Sequence, residues 1–125
     1  MTISEENYIK VIYHLSLVSP KGINTNAIAG MLDTKASSVT DMLKKLSDKE
    51  LVDYQKYQGV FLTEKGKLNA KMIVRNHRLW EVFLVEKLGF AWDEVHEVAE
   101  ELEHIRSEKL INQLDKFLNF PSFDP

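Results

Sequence analysis

Residues 96–104 read HEVAEELEH, two histidines and four glutamates in nine positions, and no other stretch of the chain is so dense in groups able to hold a cation. A second set, His77 and Glu81 within HRLWE at 77–81, has the i,i+4 spacing that places two side chains on one side of a helix. Wound at about 100° per residue, Val95, Val98, Ala99, Leu102 and Ile105 fill one arc of a helix. His96, Glu100, Glu103 and His104 fill the adjacent arc, and Glu97 and Glu101 point further out to water. Carboxylates crowded on the shoulder of a core repel one another unless a cation sits among them. The pattern therefore fits a metal site as well as a solvated acidic helix face. With imidazole and carboxylate but no thiolate, Mn2+ or Fe2+ is the chemically comfortable ion.

Catalytic uses of these residues fail on spacing. A zinc protease needs HExxH, but after His96-Glu97 the next histidine is His104. A di-iron carboxylate bundle needs two Glu-x-x-His motifs, and only Glu101 to His104 supplies one. No GxSxG exists to form a nucleophile elbow. The chain is read as a non-enzyme.

The elements that must position these groups begin with the bulk. The 125 residues are 44% hydrophobic and 28% charged, enough for one domain or two small ones sharing a core. The absence of cysteine excludes disulfides, thiolate zinc sites and Cys nucleophiles. The N-terminus MTISEENYIK is acidic where a signal peptide is basic, and no apolar run approaches the roughly 18 residues of a membrane span. A soluble cytoplasmic protein without membrane partners is expected. The net charge of −3 is divided: residues 1–75 carry 11 Lys+Arg against 8 Asp+Glu, and residues 76–125 carry 5 against 11. A mildly basic half suits an anion such as DNA, and the acidic half suits cations.

Along the chain, Ser4 is the expected cap of a first helix with Ile9, Ile12 and Tyr13 in its buried stripe, ended by SPKG at 19–22. Asn24 or Thr25 caps a short helix turning Ile28, Met31 and Leu32 inward. SSVTDMLKKL follows, with Val39, Met42, Leu43 and Leu46 on its apolar side. Two short helices joined by a tight turn fit a helix-turn-helix. LVDYQKYQGVFLT then alternates about Gln58-Gly59 as a hairpin, with Lys56 and Tyr57 near its tip, the layout of a winged helix. Thr63 caps a long helix from about Glu64 to Leu88, stopped by Gly89. Its apolar residues, Trp80, Phe83 and Leu84 among them, exceed what a small winged helix needs, so a subunit interface is expected there. Two more helices follow, and NFPSFDP ends the chain as an irregular segment.

This order of features, from NYIKVIYHL through SSVTDMLKKL and the wing to NHRLWE and EELEH, resembles the diphtheria toxin repressor family of metal-dependent transcriptional repressors, manganese transport regulators included. The resemblance covers essentially the whole chain. It implies a mainly α fold, with a winged helix-turn-helix DNA-binding domain over 1–73 and a helical metal-binding and dimerisation domain over 74–118. Residues 119–125 would begin a linker to a third domain.

The resemblance further implies two metal positions per subunit. His77, Glu81 and His96 match one. Glu100, Glu103 and His104 match the other, together with Asn7 before Tyr8 on the first helix. Iron-responsive relatives typically have Cys where this chain has Glu100, which favours Mn2+ over Fe2+. Asn7 stands where Met or Asp is usual, and Lys10 where manganese regulators often have Glu.

The implied partners are a second copy of the chain and a palindromic double-stranded operator near metal-uptake genes. Ser37, Ser38 and Thr40 are the candidates for base or phosphate contacts, with Lys35, Lys44 and Lys56 as positioning charges on phosphate. The competing reading makes Ser37 or Ser38 a helix cap and the lysines plain surface. Two other functions fit the same elements: a winged-helix repressor answering to a small organic ligand, and a metal-binding adaptor that does not touch DNA. Divalent-metal dependence of DNA affinity separates the first, and salt-dependent DNA affinity the second.

Overall fold

Thr2, rather than Ser4, starts the first helix, α1 (Ile3–Val18). Its hydroxyl accepts from the Glu5 amide at 3.1 Å, and the Glu5 carboxylate accepts from the Thr2 amide at 2.9 Å. This reciprocal pair is the T-x-x-E capping box, and Ser4, with Asn7 three residues on, cannot form it. The computed structural model describes residues 1–55 and 57–121, and the chain divides into two units, Met1–Lys71 and Met72–Pro125.

In the first unit α1 is followed by α2 (Thr25–Leu32), α3 (Ala36–Asp48), β1 (Val52–Gln55) and β2 (Gly59–Leu62). The Asn24 side chain caps α2 by accepting from the Asn26 amide at 2.7 Å. Asp33 ends α2 in the left-handed region and makes the tight turn into α3. Ile9, Ile12, Ile28, Val39 and Leu46 are wholly buried and join the three helices in one core. Met31, expected inside, is 61% exposed, because eight residues give α2 only one fully buried position, Ile28.

The strands pair antiparallel with Val52 opposite Leu62 and Tyr54 opposite Val60. Ile23 adds a bridge to Val60, so the chain before α2 is tied to β2 next to the hairpin turn. Tyr57 lies at the tip and is almost fully exposed; Lys56 lies outside the described residues.

The boundary between the units falls inside α4 (Glu64–Leu88), which has the expected bounds. The Thr63 hydroxyl accepts from the Gly66 amide at 3.0 Å and donates to the Glu50 carbonyl at 2.7 Å, starting the helix and tying it to the turn before β1. Gly66 is required there, since a Cβ would stand 2.1 Å from the Leu51 carbonyl oxygen. Gly89, at φ 73°, ends the helix.

The second unit adds α5 (Trp92–Leu102) and α6 (Glu108–Phe117). Leu79, Val82 and Leu84 from α4 pack with Val95 and Ala99 from α5 and with Ile111 and Leu114 from α6. Trp80 and Leu84 are thus spent mainly on the chain's own core, with Phe83 packed against it. From α4 onward the large apolar residues left exposed are others: Leu68 in the first unit, and Met72, Leu88, Trp92, Leu110, Phe117 and Phe120 in the second. Arg75 reaches Asp115 at 2.8 Å and fixes α6 on α4. The expected linker falls partly on residues 122–125, outside the described residues.

Glu5 also accepts from the Lys49 ammonium at 2.6 Å. That bond, with the Thr2 amide, pulls its carboxyl from 4.5 to about 2, against a burial that pushes it up. A folded-state value below the unfolded one contributes stability above pH 4.5 that is lost as the pH falls toward 2. Thermal unfolding across that range should show Lys49→Met less stable than the parent chain near neutrality. The gap should close as the acid limit is approached; a gap independent of pH would contradict the assignment.

Candidate metal centre and DNA-facing surface

His77 and Glu81, one turn apart on α4, are both buried, at 8% and 6% exposure. Their side chains face each other, His77 Nε2 to Glu81 Oε1 at 3.3 Å. From α5, His96 brings Nδ1 to 3.8 Å from the other Glu81 oxygen, and its ring lies edge-on to His77 with centroids 4.8 Å apart. One ligand atom from each of His77, Glu81 and His96 falls within 4.8 Å of the other two. Among the described residues this is the group of three such side chains close enough to hold one ion.

The second expected set is arranged differently from its helical projection. α5 ends at Leu102, so Glu103 is its C-cap and His104 lies in the turn beyond. Glu103 is 1% exposed, and its Oε2 lies 3.7 Å from His77 Nδ1. Glu100 is half-exposed and pairs with His96 Nε2 at 2.7 Å. Glu100, Glu103 and His104 are not gathered as a three-ligand group of their own; Glu100 and Glu103 flank the first set from either side. His104 is half-buried. Asn7, half-buried on α1, belongs to the first unit. The His77 to Glu103 approach joins the two motifs, and no spacing within either one signals it.

The donor set fits a divalent cation. Two buried carboxylates flank one imidazole, and burial of like charges favours a cation between them. His77 Nδ1 is buried with no hydrogen-bond partner, a lone pair or N–H left uncommitted in a dry setting. Carboxylate oxygen and imidazole nitrogen together suit Mn2+, Fe2+ or Zn2+.

In the first unit Ser37, Ser38, Thr40 and Lys44 are exposed on α3, and exposed Lys35 occupies its N-cap position. No side chain caps this helix, so neither Ser37 nor Ser38 is spent as a cap. The first-turn amides of α3 and the two hydroxyls can meet an anion such as phosphate. Thr40 donates to the Ala36 carbonyl at 3.1 Å and keeps its oxygen as an acceptor. Lys56, the sixth candidate, lies outside the described residues.

Residues 1–60 match the family model for the N-terminal DNA binding domain of iron dependent repressors, and residues 63–125 match that for their metal binding and dimerisation domain. An uncharacterized HTH-type transcriptional regulator of Methanocaldococcus jannaschii is 38% identical over 94% of this chain and 94% of its own length. The HTH-type transcriptional regulator MntR of Oceanobacillus iheyensis is 38% identical over 95% of this chain and 80% of its own. Among solved structures, the manganese regulator SloR superposes with a TM-score of 0.85 at 43% identity over 100% of this chain. The chain spans only 58% of that protein.

Mn2+ at about 100 times its dissociation constant should raise the unfolding free energy by about 2.7 kcal/mol. Glu81→Gln, which removes the charge shared by His77 and His96, should lose most of that gain in a thermal melt. An equal Mn2+-induced shift in the variant would remove Glu81 from the centre.

Proposed function

The chain belongs to the iron dependent repressor family, and from that membership we propose that it is a metal-dependent transcriptional repressor of metal-homeostasis genes, with a divalent cation as corepressor. The observation that carries the proposal is the group of buried His77 and Glu81 with exposed His96, flanked by Glu103, in a chain whose other unit presents an uncapped, hydroxyl- and lysine-bearing helix. Neither feature alone requires a switch, but together they pair a cation sensor with an anion-binding surface.

Mn2+ is the favoured ion, with Fe2+ as the alternative. Glu100 offers a hard oxygen, and the similar protein SloR is described as a manganese regulator. In the proposed site His77, Glu81 and His96 hold one ion, and Glu100, Glu103 and His104 provide a second, adjoining set. When bound, the ion supplies positive charge between carboxylates that otherwise repel. The chain's residues do the rest: Glu81 orients both imidazoles, and burial of Glu103 holds its carboxylate against His77. Such binding favours whichever conformation has the ligands assembled, and that conformation is the DNA-competent one.

The DNA-binding form is a homodimer. Two copies of α3 then enter successive major grooves of a palindromic operator, about 34–36 Å apart. Ser37, Ser38 and Thr40 meet bases or phosphates, and Lys35, Lys44 and Lys56 meet phosphates. No described helix is long and apolar enough to cross a membrane. Work in the cytoplasm, without catalysis, is consistent with this role.

Fluorescence anisotropy of a labelled duplex from upstream of the protein's own gene tests the proposal, at fixed salt with chelator, Mn2+, anaerobic Fe2+ or Mg2+. Tight binding is expected only with Mn2+ or Fe2+, and should be lost in Glu103→Ala and His104→Ala dimers. Ser38→Glu should weaken operator binding roughly tenfold or more while leaving Mn2+ affinity unchanged. Operator binding indifferent to metal would favour an organic-ligand repressor, and metal binding without DNA affinity would favour the adaptor.

A further inference from the structure

Asn76 precedes His77 on α4 and is 5% exposed. Its Nδ2 donates to the backbone carbonyl of Glu103 at 3.4 Å, and its Oδ1 is buried with no hydrogen-bond partner. The orientation of the amide is fixed by chemistry, because a carbonyl oxygen can only accept. Glu103 is the C-cap of α5, and the last carbonyls of a helix are directed by groups outside it. Asn76 supplies that outside group from the residue next to His77, whose Nδ1 faces the Glu103 carboxylate at 3.7 Å. One step of α4 backbone therefore places both an imidazole and the handle on the carboxylate opposite it.

We infer that Asn76 is a positioning residue for metal binding, aiming Glu103 at His77 through the Glu103 carbonyl and keeping Oδ1 as an acceptor for a proton-bearing group that accompanies the cation. The inference rests on the metal-binding reading above. A purely structural amide would be expected to satisfy both its ends, since a half-satisfied buried polar group costs free energy that an apolar residue of like shape avoids. An amide is also the group this place tolerates: a lysine would set a cation among the ligands, and a carboxylate would add to the repulsion between Glu81 and Glu103. Residues that orient metal ligands in this indirect way typically alter metal affinity by roughly ten- to hundredfold when replaced.

The test uses the full chain, with Mn2+ binding followed by the electron paramagnetic resonance of the free ion and unfolding followed by heating in chelator. Asn76→Leu keeps the branched skeleton of the amide and removes both its polar atoms; Asn76→Ser keeps a hydroxyl but withdraws it from the Glu103 carbonyl. The expected result is a Mn2+ dissociation constant raised roughly ten- to hundredfold in both variants. In chelator Asn76→Leu should unfold no earlier than the parent chain. Unchanged Mn2+ affinity in the folded variants, with or without a lower unfolding temperature, would assign Asn76 to structure alone and overturn the inference. A parent chain that binds no Mn2+ would overturn the metal reading itself, an outcome visible before any variant is made.

Discussion

Burying Glu81 and Glu103 beside His77 takes two carboxylates and an imidazole out of water inside a small helical unit, and much of that unit follows from holding them there. Removing an ionised group from water costs several kcal/mol unless it is paired or neutralised, and apolar residues of the same volume are often more stable in such positions. The neighbours are what a rigid enclosure needs. Leu79, Trp80, Val82 and Leu84 lie around Glu81 along α4 and share one buried cluster with Val95 and Ala99 of α5. Arg75 and Asp115 fix α6 across the same helix. Polar groups held this firmly at a cost to stability are what a binding site requires and a structural core does not.

The first unit solves a different problem. Its core is apolar, and its charge is spent on surfaces and termini: the Glu5, Lys49 and Thr2 network at the start of α1, and the open N-terminus of α3. An uncapped helix N-terminus with serines in its first turn leaves amides available to an anion. The acidic excess of residues 76–125 and the basic excess of residues 1–75 thus correspond to cation and anion partners on separate parts of the chain.

Much of the fold could be read from periodicity and punctuation. α4 has the bounds that Thr63 and Gly89 imply, and the wing lies where β-branched and aromatic residues flank Gln58-Gly59. The misses have local causes. Thr2 won over Ser4 because only Thr2 has Glu5 three residues on. Met31 is outside because a helix as short as α2 buries little more than Ile28. The site was legible as two motifs but not as one arrangement. No glycine or proline marks the end of α5 after Leu102, so the helical period was carried through Glu103 and His104, and the buried approach of Glu103 to His77 was hidden. Asn76 was invisible for a related reason: its role depends on where α5 stops.

Whether His77, Glu81 and His96 hold a cation can be seen by anomalous diffraction. Crystals of the full chain grown with Mn2+ would be measured on either side of the manganese absorption edge. A dispersive peak is expected within bonding distance of His77, Glu81 and His96. A chain shown to bind Mn2+ in solution, yet with no peak at those three side chains, would contradict that expectation.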